Sequence, residues 1–444
     1  MGVVPRRSGE AAPRAPRPAL AHAIAAGIDF ERYFRWRRER DGDPFRLRFP
    51  GLGAVLFTGI QEGAREVFRS PVHIVEPPRP NPIEPLVGTA SLILTNGDRH
   101  RQDRALLAPA FHPAQLQHYG TVIQEAALRE MSGRWHPGVR IDARTAATAI
   151  TLQVILTAVF GVAKGRHAAY TAAIADFLGS FTGPLMLAPA LRHGVLGRAP
   201  WDRFVTARDR LDQLLLADIA RRRRRGAVTP DILTLLLSCR YDDGTAITDA
   251  DLCDQLRTLL VAGHDTTANT LAWAMWRVYG DPAVSAQLRA ELRSAGPVAQ
   301  TAPAGLPYLN AVCRETLRLH PAVPIVLRRV AAPTLLRDAP LAAGEVMGVA
   351  LPLLHSDPAV WAEPELFRPA RFLRHRYSPF EFAPFGGGHR RCLGAAFAEF
   401  ELRVALATIA AGANLRPVPG RAPRSRPHGI ATRPSRPLLF DVIS

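Results

Sequence analysis

The 444-residue chain has one lysine, Lys164, so all but one of its 56 basic residues are arginine. Cysteine is also scarce, at four: Cys239, Cys253, Cys313 and Cys392. No CxxC occurs, which excludes a zinc ribbon and a thioredoxin-like motif, and no CxxCH occurs, which excludes haem attached in the c-type way. Four scattered thiols in so long a chain do not make a disulfide framework and suit a reducing cytosol. There is no run of about 18 apolar residues. The longest apolar tract, Leu152 to Val162, is broken by Gln153 and Thr157. The N-terminus lacks an apolar block of signal-peptide quality. Residues 1–27, rich in Arg, Pro and Ala, read as a flexible lead-in ending near Ile28, with 28–444 as the folded body. A soluble, cytoplasmic protein without a membrane anchor is expected. No repeat of 20–50 residues marks a solenoid, and no G-x-G-x-x-G marks a dinucleotide site.

What is present is globular: 47% apolar and 21% charged residues, with mean hydropathy near zero. Length alone suggests about three domains, or one unusually large one, and it suffices to enclose a large cofactor. The formal charge of +17 raises nucleic acid as a partner. The near-exclusive use of arginine, with abundant Ala and Pro, points instead to base composition. The run Arg221 to Arg225 has no helix-turn-helix or RNA-binding signature beside it and reads as a solvated helix end.

Helical patterns dominate. Phe45 to Thr58 alternates in part and contains turn glycines, so it reads as extended chain. Val75 to Pro85 carries five prolines and reads as loop. Gly183 to Pro200 reads as irregular, and Pro417 to Pro437 as irregular with short strand-like pieces. The longest helix spans about Asp249 to Tyr279. Thr248-x-x-Asp251 resembles a capping box at its start, and Gly280-Asp281-Pro282 stops it. Its middle, Val261-Ala262-Gly263-His264-Asp265-Thr266-Thr267, departs from helix rules, because glycine costs about 1 kcal/mol there and threonine can bond back to the helix. Such local departures are where function is expected.

The most telling stretch is Pro384-Phe385-Gly386-Gly387-Gly388-His389-Arg390-Arg391-Cys392-Leu393-Gly394, followed by a helical run. A glycine-rich loop delivers one cysteine to a helix N-terminus. Free N–H groups, the helix dipole and two arginines there favour the thiolate. A thiolate held in this way can be an axial haem ligand, one whose electron donation favours O–O cleavage. Phe385-x-x-Gly388-x-Arg390-x-Cys392-x-Gly394 resembles the cysteine loop of the cytochrome P-450 family at every signature position. By that resemblance Cys392 is the axial ligand of haem iron, Arg390 holds a propionate, and Phe385 packs near the sulfur.

Further motifs follow in the order that family has them. Ala262-Gly263-His264-Asp265-Thr266-Thr267 resembles the oxygen-activation segment, with Asp265 and Thr266 as the catalytic acid and alcohol that relay protons. His264 fills its variable slot. Glu315-Thr316-Leu317-Arg318 resembles the ExxR motif, and residues three apart on a helix can pair. Pro369-Ala370-Arg371-Phe372 resembles the later segment whose arginine, Arg371, completes a buried structural cluster with Glu315 and Arg318. His100-Arg101-Gln102-Asp103-Arg104 resembles the helix that grips haem, His100 and Arg104 facing the same way to donate to a propionate. A basic residue after the ExxR helix has the same role in the family. Arg328 and Arg329 both qualify, and Arg329 is favoured.

The resemblance covers the chain after the lead-in and implies one mainly α fold with a small β-rich lobe. It implies a haem-thiolate monooxygenase of soluble bacterial type, with haem b (iron protoporphyrin IX) as cofactor. One atom of O₂ enters a hydrophobic organic substrate (fatty acid, terpenoid, steroid or polyketide), in bacterial biosynthesis. NAD(P)H-derived electrons arrive through partner proteins, a ferredoxin or flavodoxin-type donor with its reductase, since the chain has no room for a reductase domain. Arg374, His375, Arg376, Arg390 and Arg391 would steer an acidic donor. A monomer is expected. Phe177, Phe181, Val261, Ala262, Val323, Val326 and Ile430 would line the substrate pocket. A peroxide-driven peroxygenase is the alternative, opposed by the Asp265-Thr266 pair. A haem sensor would need neither that pair nor the apolar segments, and a cysteine hydrolase would need a base other than His389.

Overall fold

The computed structural model describes residues 19–195, 197–225, 231–296 and 305–443. It is mainly helical, with small β-sheets. The chain divides into two compact units, each gathered from three separate stretches. The first takes the described residues up to Pro80, with Ile325–Pro364 and Ser378–His389. The second takes Asn81–Pro324, Glu365–Tyr377 and the residues from Arg390 onward. Neither is a contiguous third of the chain, as a count from length alone would have it.

In the first unit, helices α1 (Ala19–Ile28) and α2 (Phe30–Asp41) lead into strands β1 (Phe45–Phe49) and β2 (Gly53–Thr58), the stretch where the sequence alternates. Helix α3 (Gln61–Arg69) and strands β3 (Val75–Glu76), β4 (Ile325–Val330) and β5 (Val346–Ala350) follow. The five strands form one sheet in the order β1-β2-β5-β4-β3, with β2 and β5 parallel. Gly348 of β5 sits opposite both Phe57 and Leu327. A Cβ there would lie 2.8 Å from Leu327 and 2.9 Å from Phe57, so glycine lets those two side chains close over the strand. Phe34 packs edge-on against Phe57 and Phe45, with ring centroids 4.9 and 5.7 Å away.

Order begins before the expected boundary at Ile28. Helix α1 buries His22 against the Tyr33 hydroxyl and packs Ala26 with Phe30 and Phe34. An alanine-rich segment too short to be stable alone becomes helical once a neighbour covers one face. Residues 1–18 of the expected lead-in lie outside the described residues.

The second unit contains α4 (Gly97–Leu107), α5 (Pro113–Arg134), α6 (Ala143–Val154), α7 (His167–Ser180), α8 (Gly183–Leu187), α9 (Pro200–Arg225), α10 (Asp249–Gly280), α11 (Pro282–Ala295), α12 (Pro307–Leu319) and α13 (Ala395–Gly412). Helix α10 is its spine. The Thr248 side chain accepts from the Asp251 N–H at 3.1 Å and caps it. Asp281 ends it and caps α11, accepting from Ala283 and Val284. Leu256, Leu260, Ala268, Leu271, Ala272 and Met275 are buried along α10, and α6, α9 and α13 pack around it. The proline-rich C-terminal stretch forms a hairpin of β6 (Ser425–His428) and β7 (Ala431–Pro434).

The arginine run is less solvated than its composition suggests. Arg221 pairs with Asp218 at 2.9 Å, Arg222 with Asp231 at 2.5 Å and Arg223 with Asp249 at 2.6 Å. Arg222 is half-buried and also donates to the carbonyls of Phe160 and Gly161. Among the described residues no helix is long and apolar enough to cross a membrane.

Candidate functional site

In the second unit, Cys392 lies two residues before Gly394, the N-cap of α13. Its thiol is accessible, yet protein atoms surround most of it. This desolvation pushes the thiol pKa up, while the Gly394 N–H, Arg391 and Arg104 pull it back. The net effect is a raised thiol pKa, and a bound metal would deprotonate the sulfur outright.

Helix α4 is tied to this loop. The Arg104 guanidinium donates to the Arg391 carbonyl at 2.9 Å. Burial lowers the Arg104 pKa, and the Cys392 charge opposes that. His100, one turn earlier on the same face, is buried. Arg390 donates to the Thr95 carbonyl at 2.5 Å, the Asn96 side chain at 2.9 Å and the Ile93 carbonyl at 3.4 Å. It therefore braces the start of α4, the helix that carries His100 and Arg104.

In the first unit, Phe385 is half-buried in a loop held by His355, whose Nε2 accepts from the Ala383 N–H at 3.0 Å. Gly387 and Gly388 press against α3. A Cβ on Gly388 would lie 2.0 Å from the Phe68 carbonyl oxygen, and its φ is +68°. Only glycine fits there. Val326 stands beside Gly386, 3.6 Å from where a Cβ would be.

The two adjacent arginines separate here. Arg329 is half-buried and ion-paired with Glu76 across the β3–β4 edge. Arg328 points the other way and is buried. It donates to the Leu327 carbonyl at 2.9 Å and the Gly387 carbonyl at 3.4 Å. Burial pushes its pKa down to about 10, and no carboxylate among the described residues pairs with it. The expectation placed on Arg329 thus meets a residue already neutralised by Glu76, while the uncompensated cation is its neighbour. Sequence could not choose between them, because alternate residues of a strand face opposite sides.

At the middle of α10 the Thr266 hydroxyl donates to the Ala262 carbonyl at 2.6 Å, and Thr270 donates to the Thr266 carbonyl at 2.8 Å. These back-bonds let α10 run on as helix through the irregular segment. Asp265 is partly exposed and lies 3.8 Å from Arg144 of α6. Neither Arg144 nor Thr151, which holds His264 at 2.9 Å, carries any local sequence signal.

The expected pocket residues are distributed unevenly. Val261, Ala262 and Val323 are half-buried. Ile430 is exposed at the β6–β7 turn. Thr432 ties that hairpin to the chain after α12, its N–H donating to the Ala322 carbonyl at 2.8 Å and its hydroxyl to the Pro321 carbonyl at 3.0 Å. Phe181 keeps slight exposure. Phe177 has none; it stacks on Phe204 at 5.9 Å and is a core residue rather than a wall.

Glu315 is the hub of a buried cluster. Arg318 donates to both its oxygens at 2.7 and 2.8 Å, Arg371 to one at 3.0 Å, and the Arg368 N–H to the same one at 2.8 Å. Arg318 also donates to the Leu366 carbonyl at 3.1 Å.

The donors suit a haem. Within the second unit they are an accessible thiol just before the N-cap of α13, with Arg104 and Arg391 beside it.

Comparison with known proteins supplies the frame for these groups. Residues 12–440 match the family model described as Cytochrome P450. A protein of Mycobacterium tuberculosis named cytochrome P450 138 is 32% identical over 422 residues, covering 94% of this chain and 92% of that protein. Another from the same organism, named cytochrome P450 135B1, is 33% identical over 401 residues, covering 89% of this chain and 84% of that protein. Among solved structures, retinoic acid-bound cyanobacterial CYP120A1 matches with a TM-score of 0.81 at 23% identity, covering 94% of this chain and 96% of that one.

Proposed function

Because the chain belongs to the cytochrome P450 family and is a haem-thiolate monooxygenase, we propose that Cys392 would supply the thiolate that holds the haem iron and that its substrate is a hydrophobic organic molecule handled in bacterial biosynthesis. The observation that carries this is the Cys392 thiol itself: accessible, two residues before the N-cap of α13, where burial raises its pKa and the Gly394 N–H, Arg391 and Arg104 oppose that rise. Haem b would be held by His100 and Arg104 on α4, by Arg328 in place of Arg329, and by Arg390, all donors to propionate. When bound, the haem supplies an iron at which O₂ is reduced and split, one oxygen atom going to substrate and the other to water.

The chain's own groups then have defined tasks. Cys392 would hold the iron through its sulfur, a ligand whose electron donation favours O–O cleavage. Asp265 takes protons from solvent, to which it is partly open, and passes them inward. The Thr266 hydroxyl has one hydrogen and two lone pairs. With its hydrogen on the Ala262 carbonyl, its lone pairs can accept from a water that carries the proton onward. Val261, Ala262, Val323 and Phe181 present apolar surface, which favours a fatty acid, terpenoid, steroid or polyketide over a polar substrate. Exposed Arg374, His375, Arg376 and Arg391 suit an acidic ferredoxin or flavodoxin-type donor that relays electrons from NAD(P)H.

The test is the difference spectrum of the reduced, carbon monoxide-bound protein alongside Cys392→Ala. A strongly red-shifted Soret band, lost in the variant, is expected. A histidine-type band, or no haem at all, would sink the assignment.

A further inference from the structure

Helix α6 holds the middle of α10 at two places. Arg144 and Thr151 are seven residues apart on α6 and so share a face. Thr151 Oγ1 lies 2.9 Å from His264 Nδ1 and also donates to the Thr148 carbonyl at 3.3 Å. A hydroxyl has a single hydrogen, so with that second bond made the imidazole Nδ1–H is the donor to Thr151. Burial lowers the His264 pKa and keeps the ring neutral, as this arrangement needs. Two turns earlier, Arg144 donates through Nε to Asn269 Oδ1 at 3.1 Å and sets Nη2 3.8 Å from Asp265 Oδ1. Thr151, His264 and Asn269 are 1%, 4% and 3% exposed, so each of these polar groups would be stranded without its partner. Rising numbers along α6 meet falling numbers along α10. The two links therefore bracket Asp265 and Thr266.

This bracketing matters because the acid and the alcohol make different bonds. The Asp265 carboxylate leans toward Arg144 of α6, while the Thr266 hydroxyl is bonded within its own helix. Passing a proton between their surroundings takes a bridging water or a shift of one side chain, and either needs the backbone to stay in register. Two electrons and two protons per O₂ give either hydroxylated product and water, with substrate consumed, or hydrogen peroxide without it. The partition depends on whether protons reach the right atom in time.

We propose that Thr151, acting through His264, and Arg144, acting through Asp265 and Asn269, are positioning residues that hold the proton-delivery segment of α10 and so set the share of electrons that end in product rather than in hydrogen peroxide. This rests on the monooxygenase reading above.

The test uses holoenzyme with Thr151→Val, which keeps the shape and removes the hydroxyl, and Arg144→Gln, each beside its conservative partner, Thr151→Ser and Arg144→Lys. Hydrogen–deuterium exchange of the peptide spanning 260–269 is read first. Exchange on the order of tenfold faster is expected in the Val and Gln variants, with wild-type protection restored by Ser and Lys. Peroxide formed per NAD(P)H oxidised is then measured with surrogate ferredoxin and reductase, using whichever of lauric acid, a monoterpene alcohol or testosterone gives the largest spin-state shift. With none shifting, it is measured on dioxygen alone. A several-fold change in peroxide yield should accompany the faster exchange. Unchanged exchange, or faster exchange with unchanged yield, would overturn the proposal. A wild type without the thiolate carbon monoxide band would instead overturn the monooxygenase reading.

Discussion

Arg318 grips Glu315 with two hydrogen bonds, Nε to Oε2 at 2.7 Å and Nη2 to Oε1 at 2.8 Å, and neither side chain has any exposure. Arg371 shares Oε1, and the Arg368 N–H completes its coordination. A carboxylate so fully satisfied stabilises the fold only while every partner is present. Removing it takes this buried counter-charge from both Arg318 and Arg371. Glu315→Ala is expected to cost about 3–5 kcal/mol. Denaturant titration of the variant should show the loss, and soluble holoenzyme yield should fall with it. A midpoint near wild type would mean that water replaces the carboxylate without difficulty.

The neighbours Arg328 and Arg329 should behave differently. Arg328 is buried, pairs with no carboxylate among the described residues, and is the propionate donor proposed above, so Arg328→Leu should lower haem occupancy after dialysis several-fold while leaving the apoprotein folded. Arg329→Leu loses a partly exposed pair with Glu76, worth under about 1 kcal/mol, and should retain haem. Haem-to-protein absorbance ratios decide the matter, and the reverse pattern would return the role to Arg329.

Glycine at 388 should be irreplaceable. With φ at +68° and a hypothetical Cβ 2.0 Å from the Phe68 carbonyl oxygen, Gly388→Ala must both strain the loop and push α3 away. A cost of at least about 1–3 kcal/mol is expected, read as a lower melting temperature and poor haem incorporation. Gly263→Ala is the control, since a Cβ there meets nothing within 4 Å. It should fold normally.

Glu401 makes stability depend on pH. It is buried on α13 with Oε1 unpartnered, and burial pushes its carboxyl up to about 8 from an ordinary 4.5. Between those values the folded state binds a proton that the unfolded chain has released, so stability falls as pH rises through that window. Glu401→Gln should match wild type near pH 5 and exceed it by up to about 3 kcal/mol near pH 8. Urea unfolding at the two pH values checks this. An equal difference at both would mean that Glu401 titrates normally.

His320 works in the opposite sense. It stacks on Trp273 with centroids 3.8 Å apart, accepts from Arg277 at Nε2, and is held well below its usual pKa, first by burial and then by Arg277 and Arg318. The unfolded chain takes up a proton near pH 6.5 that the folded state refuses, so this contribution fades as pH falls below that value. His320→Asn should flatten the acid limb of the stability profile, seen as a smaller loss between pH 7 and 5 than in wild type.

Much was legible in the sequence, and for one reason: the informative residues stand close together along the chain. The cap Thr248–Asp251, the pair Glu315–Arg318 and the delivery of Cys392 to a helix start are all set by spacing within a few residues, where backbone geometry leaves little choice. The glycine run before Cys392 reads the same way, because a loop that must pass under Phe68 has no room for side chains. The tertiary structure decided what depends on which face is covered. Arg328 and Arg329 are chemically identical, and only the place of β4 between β3 and β5 makes one buried and the other paired with Glu76. Phe177 could have been pocket or core, and Phe204 made it core. The arginine run looked solvated until Asp218, Asp231 and Asp249 came to meet it. His264 stayed without a role until Thr151, 113 residues away in sequence, was brought to 2.9 Å. Local chemistry follows from covalent neighbours, but burial and charge compensation belong to contacts that only long-range packing creates.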